Sequence, residues 1–358
     1  MQIKYNDVEE EYKKKLDKLF GVENCLIEVN PGNILLPPKY EEIGERILNL
    51  EVKFDDVWLV SYPRTGSTWA QEMVWCIINN LDYEGAKLLS QFRAPLLELT
   101  ALFGNDKREW KNALGNSVEQ VENMPSPRCI KTHLPWDLLP TQLKIIKPKI
   151  IYVARNPKDI SVSYFHYCNL IHDFHGTYED FCELFLHGKK GIASTRYEKI
   201  IWETFRHFAY LFMRINIKKR NYEYVTAPVG NIWKHVSEFW KRRHEPHILF
   251  LKYEDMKKNH KQTIAQVSEF LGKKFAEEEI NGLIEHLSFS KMRQNPAINL
   301  EPILEKMYDS VERENAENKF IRKGQVGDWR NYMSNELSEK FDEMNEKYWN
   351  DIDLFFDN

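Results

Sequence analysis

The chain has 358 residues, 42% hydrophobic and 29% charged, with a formal net charge of −4. It is long enough to bury a large core and too nearly neutral to hold nucleic acid by bulk charge, so an anion site has to come from local clustering of cations. Five widely spaced cysteines with no C-x-x-C pair exclude a zinc or disulfide framework and point to reduced thiols.

The first residues, MQIKYNDVEEEYKKKLDKLF, are charged and lack the apolar centre of a signal peptide. No run approaches the ~20 apolar residues of a membrane span. A cytoplasmic protein is the expectation. Residues 1–40 read as a helix followed by a loop through Asn30-Pro31-Gly32 and Pro37-Pro38, with a short helix near 40–49 after it.

Residues 57–69, VWLVSYPRTGSTW, are the most informative stretch. The apolar run Val57–Val60 reads as a buried parallel strand, Pro63 and Gly66 break it, and Trp69, Met73, Val74, Ile77 and Ile78 resume at helical spacing. A strand, a short Gly-containing loop and a helix make an anion site, because the first helical turn leaves N–H groups unpaired at the positive end of the macrodipole. Ser67 and Thr68 add hydroxyls, and Arg64 adds a planar cation suited to phosphate. Neither G-x-x-x-x-G-K-[ST] nor G-x-G-x-x-G is present, so the loop alone also fits a plain turn in an α/β sheet.

Residues 92–103 lack clean periodicity and read either as core or as the wall of an apolar pocket. RCIKTHLP (128–135) reads as a short strand opening into a loop, with Lys131 and His133 on one face; taken alone His133 fits a structural or surface histidine, and paired with Lys131 it is a candidate base beside a candidate charge stabiliser. Ile150–Ala154 is a second buried strand, and Pro157 opens a helix to about Leu170. Arg155 and Ser163 there suit a second anion, while a salt bridge from Arg155 to Asp159 is the plainer alternative. HILFLKYEDM (247–256) is a further strand ending at Tyr253, followed by helices at 258–271 and 276–286. Arg322-Lys323-Gly324 then forms a basic, glycine-containing loop, and an amphipathic helix covers 335–348. Strands alternating with helices imply a mostly parallel α/β sheet, with ligands at the carboxyl ends of its strands. Arg64, Lys131, His133, Arg155 and Tyr253 all lie just past strands and should therefore converge.

Six segments, YPRTGSTW (62–69), KTHLP (131–135), YVARNPKDISVSYFH (152–166), FLKYEDM (250–256), SFSKM (288–292) and FIRKGQVGDW (320–329), resemble the cytosolic sulfotransferase family in that family's order. The resemblance covers most of 40–350. It implies one P-loop-NTPase-like α/β domain over 41–350. The donor it implies is 3′-phosphoadenosine 5′-phosphosulfate (PAPS), with 3′-phosphoadenosine 5′-phosphate (PAP) as product and no metal. Arg64, Thr65, Gly66, Ser67 and Thr68 would wrap the 5′-phosphosulfate, and Trp69 would stack on adenine. Arg155, Ser163 and the loop Phe320, Ile321, Arg322, Lys323, Gly324 would hold the 3′-phosphate. Tyr253, Leu287, Ser288, Phe289 and Met292 would complete the nucleotide site. His133 would be the base, with Lys131 and Arg64 offsetting charge. Leu96 and Tyr167, with Lys131 and His133, would line an apolar acceptor pocket fitting phenols, sterols or alcohols alike. A charged amine would need Glu98 to reach inward.

Departures from the family pattern also carry expectations. Arg64 stands where the family usually has Lys, and Leu287 where it has Thr. The family's dimer motif falls on Arg330, Ser334, Asn335 and Glu339, with polar Asn335 at an apolar position, which puts that homodimer in doubt. Roughly 190–225 is an insertion, carrying an apolar stripe through Ile200, Phe205, Phe208, Leu211, Phe212 and Ile215. It reads as a lid, as a partner-binding helix, or as translated intron, since no Gly, Pro or Asp occurs between Gly191 and Pro228. Two alternatives stand beside sulfuryl transfer to a small acceptor: net dehydration of an allylic alcohol through a sulfate ester, and non-catalytic nucleotide binding. A nucleotide kinase fits worse, without G-K-[ST] or a magnesium-binding carboxylate after a strand.

Overall fold

The computed structural model describes residues 2–21, 23–32, 34–102, 115–171, 174–187, 229–301 and 319–356. In chain order the strands among these residues are β1 (Lys4–Asn6), β2 (Ile27–Asn30), β3 (Ile34–Leu36), β4 (Val57–Ser61), β5 (Cys129–Thr132), β6 (Lys149–Ala154), β7 (Val229–Gly230) and β8 (Ile248–Lys252). The parallel sheet has the order β5-β4-β6-β8. Val57 pairs with both Cys129 and Lys149, and Ile150 with Ile248.

The continuous apolar runs of β4 and β6 follow from burial on both faces. Successive side chains of a strand point to opposite sides. Trp58, Val60, Ile150, Tyr152 and Ala154 therefore enter one core, while Val57, Leu59, Ile151 and Val153 enter the other. Polar alternation would have left one of those cores unfilled.

The longer helices are α1 (Glu10–Phe20), α2 (Ser67–Ile78), α3 (Pro157–Ile171), α4 (Tyr178–His187), α5 (Ile232–Trp240), α6 (His260–Phe270), α7 (Glu277–His286) and α8 (Asn335–Trp349). Helix α2 packs on the Val57–Leu59 face, together with Ile264 and Val267 of α6 and Leu283 of α7. Helices α1, α4, α5 and α8 cover the other face through Leu16, Leu19, Phe181, Phe185, Trp233, Phe239 and Phe341. Trp349 donates its indole N–H to the Trp233 carbonyl at 3.1 Å, fastening α8 to α5. Ser334 caps α8 by accepting from the Leu337 N–H at 3.2 Å. Two positions of the expected dimer motif thus serve the start of this helix.

The loop expected around Asn30-Pro31-Gly32 is the turn of a hairpin, β2–β3, with Val29 opposite Ile34. It belongs to a second, antiparallel sheet of order β1-β2-β3-β7. These strands have two to four residues, too few to show a period of two, so Asn30-Pro31-Gly32 dominated the reading. Val29, Leu36 and the α1 residues join the main core, and residues 2–40 are built into the body of the fold. The insertion at 190–225 and Phe103 lie outside the described residues.

Candidate functional site

At the carboxyl end of β4 the chain turns through Tyr62–Gly66 into α2. Two residues of this turn have left-handed backbones, Arg64 at φ 67° and Gly66 at φ 89°. The first is sterically unfavourable for a side-chain-bearing residue, and strain of that kind collects at functional loops. Thr65 is buried and donates its hydroxyl to the Tyr62 carbonyl at 3.0 Å, which straps the turn shut. A Cβ on Gly66 would lie 2.4 Å from Cδ2 of Tyr253. Gly66→Ala is therefore expected to destabilise the protein by about 1–3 kcal/mol, from backbone strain and a displaced ring. Urea denaturation would measure it, and an unchanged midpoint would contradict the packing described.

The turn opens onto a cavity of about 300 Å³ at the edge of the sheet. Arg64, Lys131, His133, Arg155 and Tyr253, predicted to converge from separate strand ends, all line it. So do Gly66, Ser67, Thr68, Trp69, Ser163, Leu287, Phe289, Met292 and the run Phe320–Gly324. Thr65 and Ser288 do not face it. The Ser288 hydroxyl lies 3.5 Å from that of Ser290 instead.

His133 sits just past β5 and is 9% exposed. Its Nδ1 lies 2.8 Å from the Ser61 carbonyl, and a carbonyl only accepts, so Nδ1 carries the proton and Nε2 keeps its lone pair. The His133 pKa is held well below the ordinary value, first by burial and then by the Lys131 cation, against the raising effect of the Ser61 bond. The imidazole is therefore neutral, as a proton acceptor must be.

The backbone around this base is clamped. Glu98 accepts from the His133 N–H at 2.7 Å and from the Thr132 hydroxyl at 2.8 Å. Glu98 thus lies beneath the loop rather than reaching into the cavity, and burial pushes its carboxyl up to about 7 against those bonds. His235 Nε2 donates to the His133 carbonyl at 3.2 Å, and its Nδ1 accepts from the Tyr152 hydroxyl at 2.7 Å. Sequence reading treated Glu98 only as a possible inward charge and did not reach His235. The signal for Glu98 is its place beside β5, visible once Leu96 is bridged to Lys131; His235 lies in α5, and only the tertiary fold brings it to the His133 carbonyl.

Lys131 is 8% exposed. Burial, opposed by Glu98 and aided by Arg64, lowers it to about 8. Arg64 extends across the cavity. Its Nε donates to the Ser163 hydroxyl at 3.2 Å and its Nη2 to the Phe320 carbonyl at 3.0 Å, with the rings of Tyr167 and Phe320 at 4.9 and 4.8 Å. Burial brings it down to about 10, so it stays charged near neutrality. The structure thus places Arg64 with Ser163 and the 320 loop, a longer reach than lysine would have.

Arg155 makes the ion pair expected of it, 3.7 Å from Asp159, and also faces the cavity. Its Nη2 donates to the Gln325 carbonyl at 2.8 Å, its guanidinium lies over the Tyr253 ring at 4.4 Å, and its Nε is buried without a partner. Arg322 and Lys323 share Asp328, at 2.7 and 3.2 Å. Trp69 donates its indole N–H to the Leu287 carbonyl at 3.0 Å, which fixes an aromatic wall beside Tyr253.

Part of the lining is apolar: Leu96, Leu99, Leu102, Tyr167, Ile171 and Leu300, with the Arg64 guanidinium against the Tyr167 ring. The ambiguous segment from 92 onward therefore divides, with Leu97 in the core and Leu96 and Leu99 on the cavity wall.

Among the described residues, Glu72, Cys76 and His286 come within metal-ligand reach of one another. Glu72 is already held by Arg93 and by His286 at 2.7 Å, and burial pushes the Cys76 thiol up, so the group works as it stands as a strut between α2 and α7.

Arg64, Lys131 and Arg155, a buried neutral histidine and apolar side chains thus meet in one cavity at the carboxyl edge of a parallel α/β sheet. A sequence model of the sulfotransferase domain matches residues 54–353. The luciferin sulfotransferase of Photinus pyralis is 34% identical over 321 residues, spanning 86% of this chain and 75% of that protein. Sulfotransferase 1 family member D1 of Mus musculus is 34% identical over 325 residues, spanning 89% and 92%. The chain belongs to the sulfotransferase family of enzymes. Among solved structures, retinol dehydratase in complex with retinol and PAP superposes with a TM-score of 0.79 at 27% identity, over 100% of this chain and 99% of that one. The same protein with androsterone and PAP gives 0.76 at 28%. Among the described residues no helix is long and apolar enough to cross a membrane.

Proposed function

We propose that this enzyme transfers the sulfuryl group of PAPS to a hydroxyl of a small, largely apolar acceptor in the cytoplasm. The observation that carries this reading is the tautomer of His133. Its Nδ1–H is held by Ser61, which leaves Nε2 its lone pair, and the residue lines a cavity that also holds cationic and apolar side chains. One feature supports an anionic nucleotide in this cavity: Arg155, which lines it, has its Nε without a hydrogen-bond partner.

The donor supplies an activated sulfuryl group, and the residues of the chain do the rest. His133 takes the acceptor's proton at Nε2 as its oxygen attacks. Lys131 holds positive charge where negative charge grows, in a site dry enough to make that charge effective. Arg155, Ser163 and the 320–324 loop anchor the 3′-phosphate, Trp69 and Tyr253 wall the base, and Leu96 and Tyr167 enclose the acceptor. A dimer through 330–339 is disfavoured in this reading, because Asn335 offers no apolar contact.

The reading is tested by thermal shift with PAP and with adenosine 5′-phosphate. Wild type should be stabilised more by PAP. Arg155→Ala should weaken PAP binding by about 10–10²-fold, as removal of a charge-assisted bond does. A folded wild type that PAP does not stabilise would refute the donor assignment.

The retinol dehydratase neighbours favour one second reading, in which the sulfate ester of an allylic alcohol goes on to lose sulfate. Product mass separates the two: transfer adds SO₃ to the acceptor, whereas dehydration removes water.

A further inference from the structure

We propose that Gln71 is the positioning residue for Lys131, a neutral brace that aims the ammonium into the cavity without neutralising it; its role in catalysis rests on the sulfuryl-transfer reading. Gln71 lies on α2, five residues after Gly66. It is 5% exposed and lines the cavity. Its Nε2 donates to the Ala94 carbonyl at 2.6 Å, and its Oε1 accepts from Lys131 Nζ at 3.3 Å. The amide cannot be turned over. The Ala94 carbonyl only accepts, so the NH₂ must face Ala94 and the oxygen must face the ammonium.

Both ends of the brace are fixed. Ala94 is held by its N–H to Ser90, at 2.8 Å. The Lys131 backbone is held on both sides by the adjoining segment, its N–H on the Pro95 carbonyl at 2.9 Å and its carbonyl on the Leu97 N–H at 2.8 Å. The one loose part of Lys131 is its four-carbon arm, and Gln71 ties down the end of that arm. Three charged or titratable groups face the ammonium: Arg64 from the turn, Glu98 from the segment after Pro95, and His133 from its own strand. Glu98 has both oxygens occupied by Thr132 and His133, so it does not form an ion pair with Lys131. A carboxylate at position 71 would cancel the charge, and an apolar side chain would release the arm. The amide avoids both.

The test is trace acetylation of the intact protein with acetic anhydride across pH, with Lys131 read by peptide mass spectrometry in wild type, Gln71→Glu and Gln71→Leu. Wild type should titrate near 8. Gln71→Glu should move the midpoint up by about 1–3 units, and Gln71→Leu should move it down, because the charged form loses an acceptor. With PAPS, Gln71→Leu should lower kcat by about 10–10²-fold with little change in donor KM, as misplacement of a catalytic group does. Coincident titration curves in the three proteins would overturn the brace, and so would a kcat loss without a shifted titration, since that is packing alone. Shifted titrations in a protein with no PAPS turnover would uphold the contact and count against the donor reading instead.

Discussion

His133→Ala is expected to lower kcat by about 10²–10⁴-fold while PAP still binds, because general base catalysis contributes on that scale and the cations of the cavity are untouched. The variant deletes only the imidazole; the Glu98 and His235 bonds to residue 133 go to its backbone and remain available. The pH profile gives a second test. Burial and Lys131 hold the imidazole well below its usual range, so protonation of the base should begin to limit kcat/KM only well under pH 6.5. Glu98, raised to about 7, titrates first on the way down, and the carboxylate form is the one that accepts from His133 and Thr132. An inflection near 7 should therefore disappear in Glu98→Gln, while the lower limb persists. On the alkaline side kcat/KM should fall above about 8 as Lys131 loses its proton. A bound anionic donor favours the ammonium, so the corresponding limb in kcat should lie higher than in kcat/KM. A His133→Ala enzyme with wild-type kcat would remove His133 from the proposed role, and an acid limb at the ordinary histidine value in Glu98→Gln would contradict the depression by burial and Lys131.

Much of this site was legible in the sequence because its parts sit where local patterns are strongest. Val57–Val60 and Ile150–Ala154 are apolar without interruption, which only a doubly covered strand requires, and each is followed at once by its cation, Arg64 or Arg155. A parallel sheet then brings those ends together by topology alone. What the sequence does not carry is the choice of partner. Thr65 stands in the loop after β4 and yet turns back to Tyr62, and Arg64 of the same loop reaches Ser163 on another helix. Gln71 looks like one more helical position, and its amide acquires meaning only beside Lys131, sixty residues away in the chain. The antiparallel sheet stayed hidden for a different reason. Strands as short as Val229–Gly230 have no periodicity, and their existence depends on partners such as Ile34 across the fold.

Arg128→Ala is expected to destabilise the fold by about 3–5 kcal/mol and to leave the chemistry of the folded molecules unchanged. Arg128 is 1% exposed and Asp56 0%, and the two meet at the amino ends of β5 and β4, away from the carboxyl edge that carries the site. The guanidinium makes four hydrogen bonds: Nε and Nη2 grip the two Asp56 oxygens at 2.7 and 2.6 Å, Nη1 donates to the Val121 carbonyl at 3.1 Å, and Nη2 also donates to the Glu51 carbonyl at 2.8 Å. Truncation leaves a buried carboxylate with no cation and two carbonyls with no donor, the arrangement in which a broken buried pair costs most. With unfolding entropies near 2.1 cal/mol/K per residue, a chain of 358 residues should lose about 4–7 °C in Tm. The pair itself is worth far less than its rupture, because both ions are dehydrated in the folded state. Asp56→Leu combined with Arg128→Met should therefore recover most of the loss, a non-additivity that calorimetry on the two single variants and the double would measure. Three melting temperatures in which the double variant shows the sum of the single losses would mean that the carbonyl contacts of Arg128, rather than its charge pairing, hold the edges of β4 and β5 together.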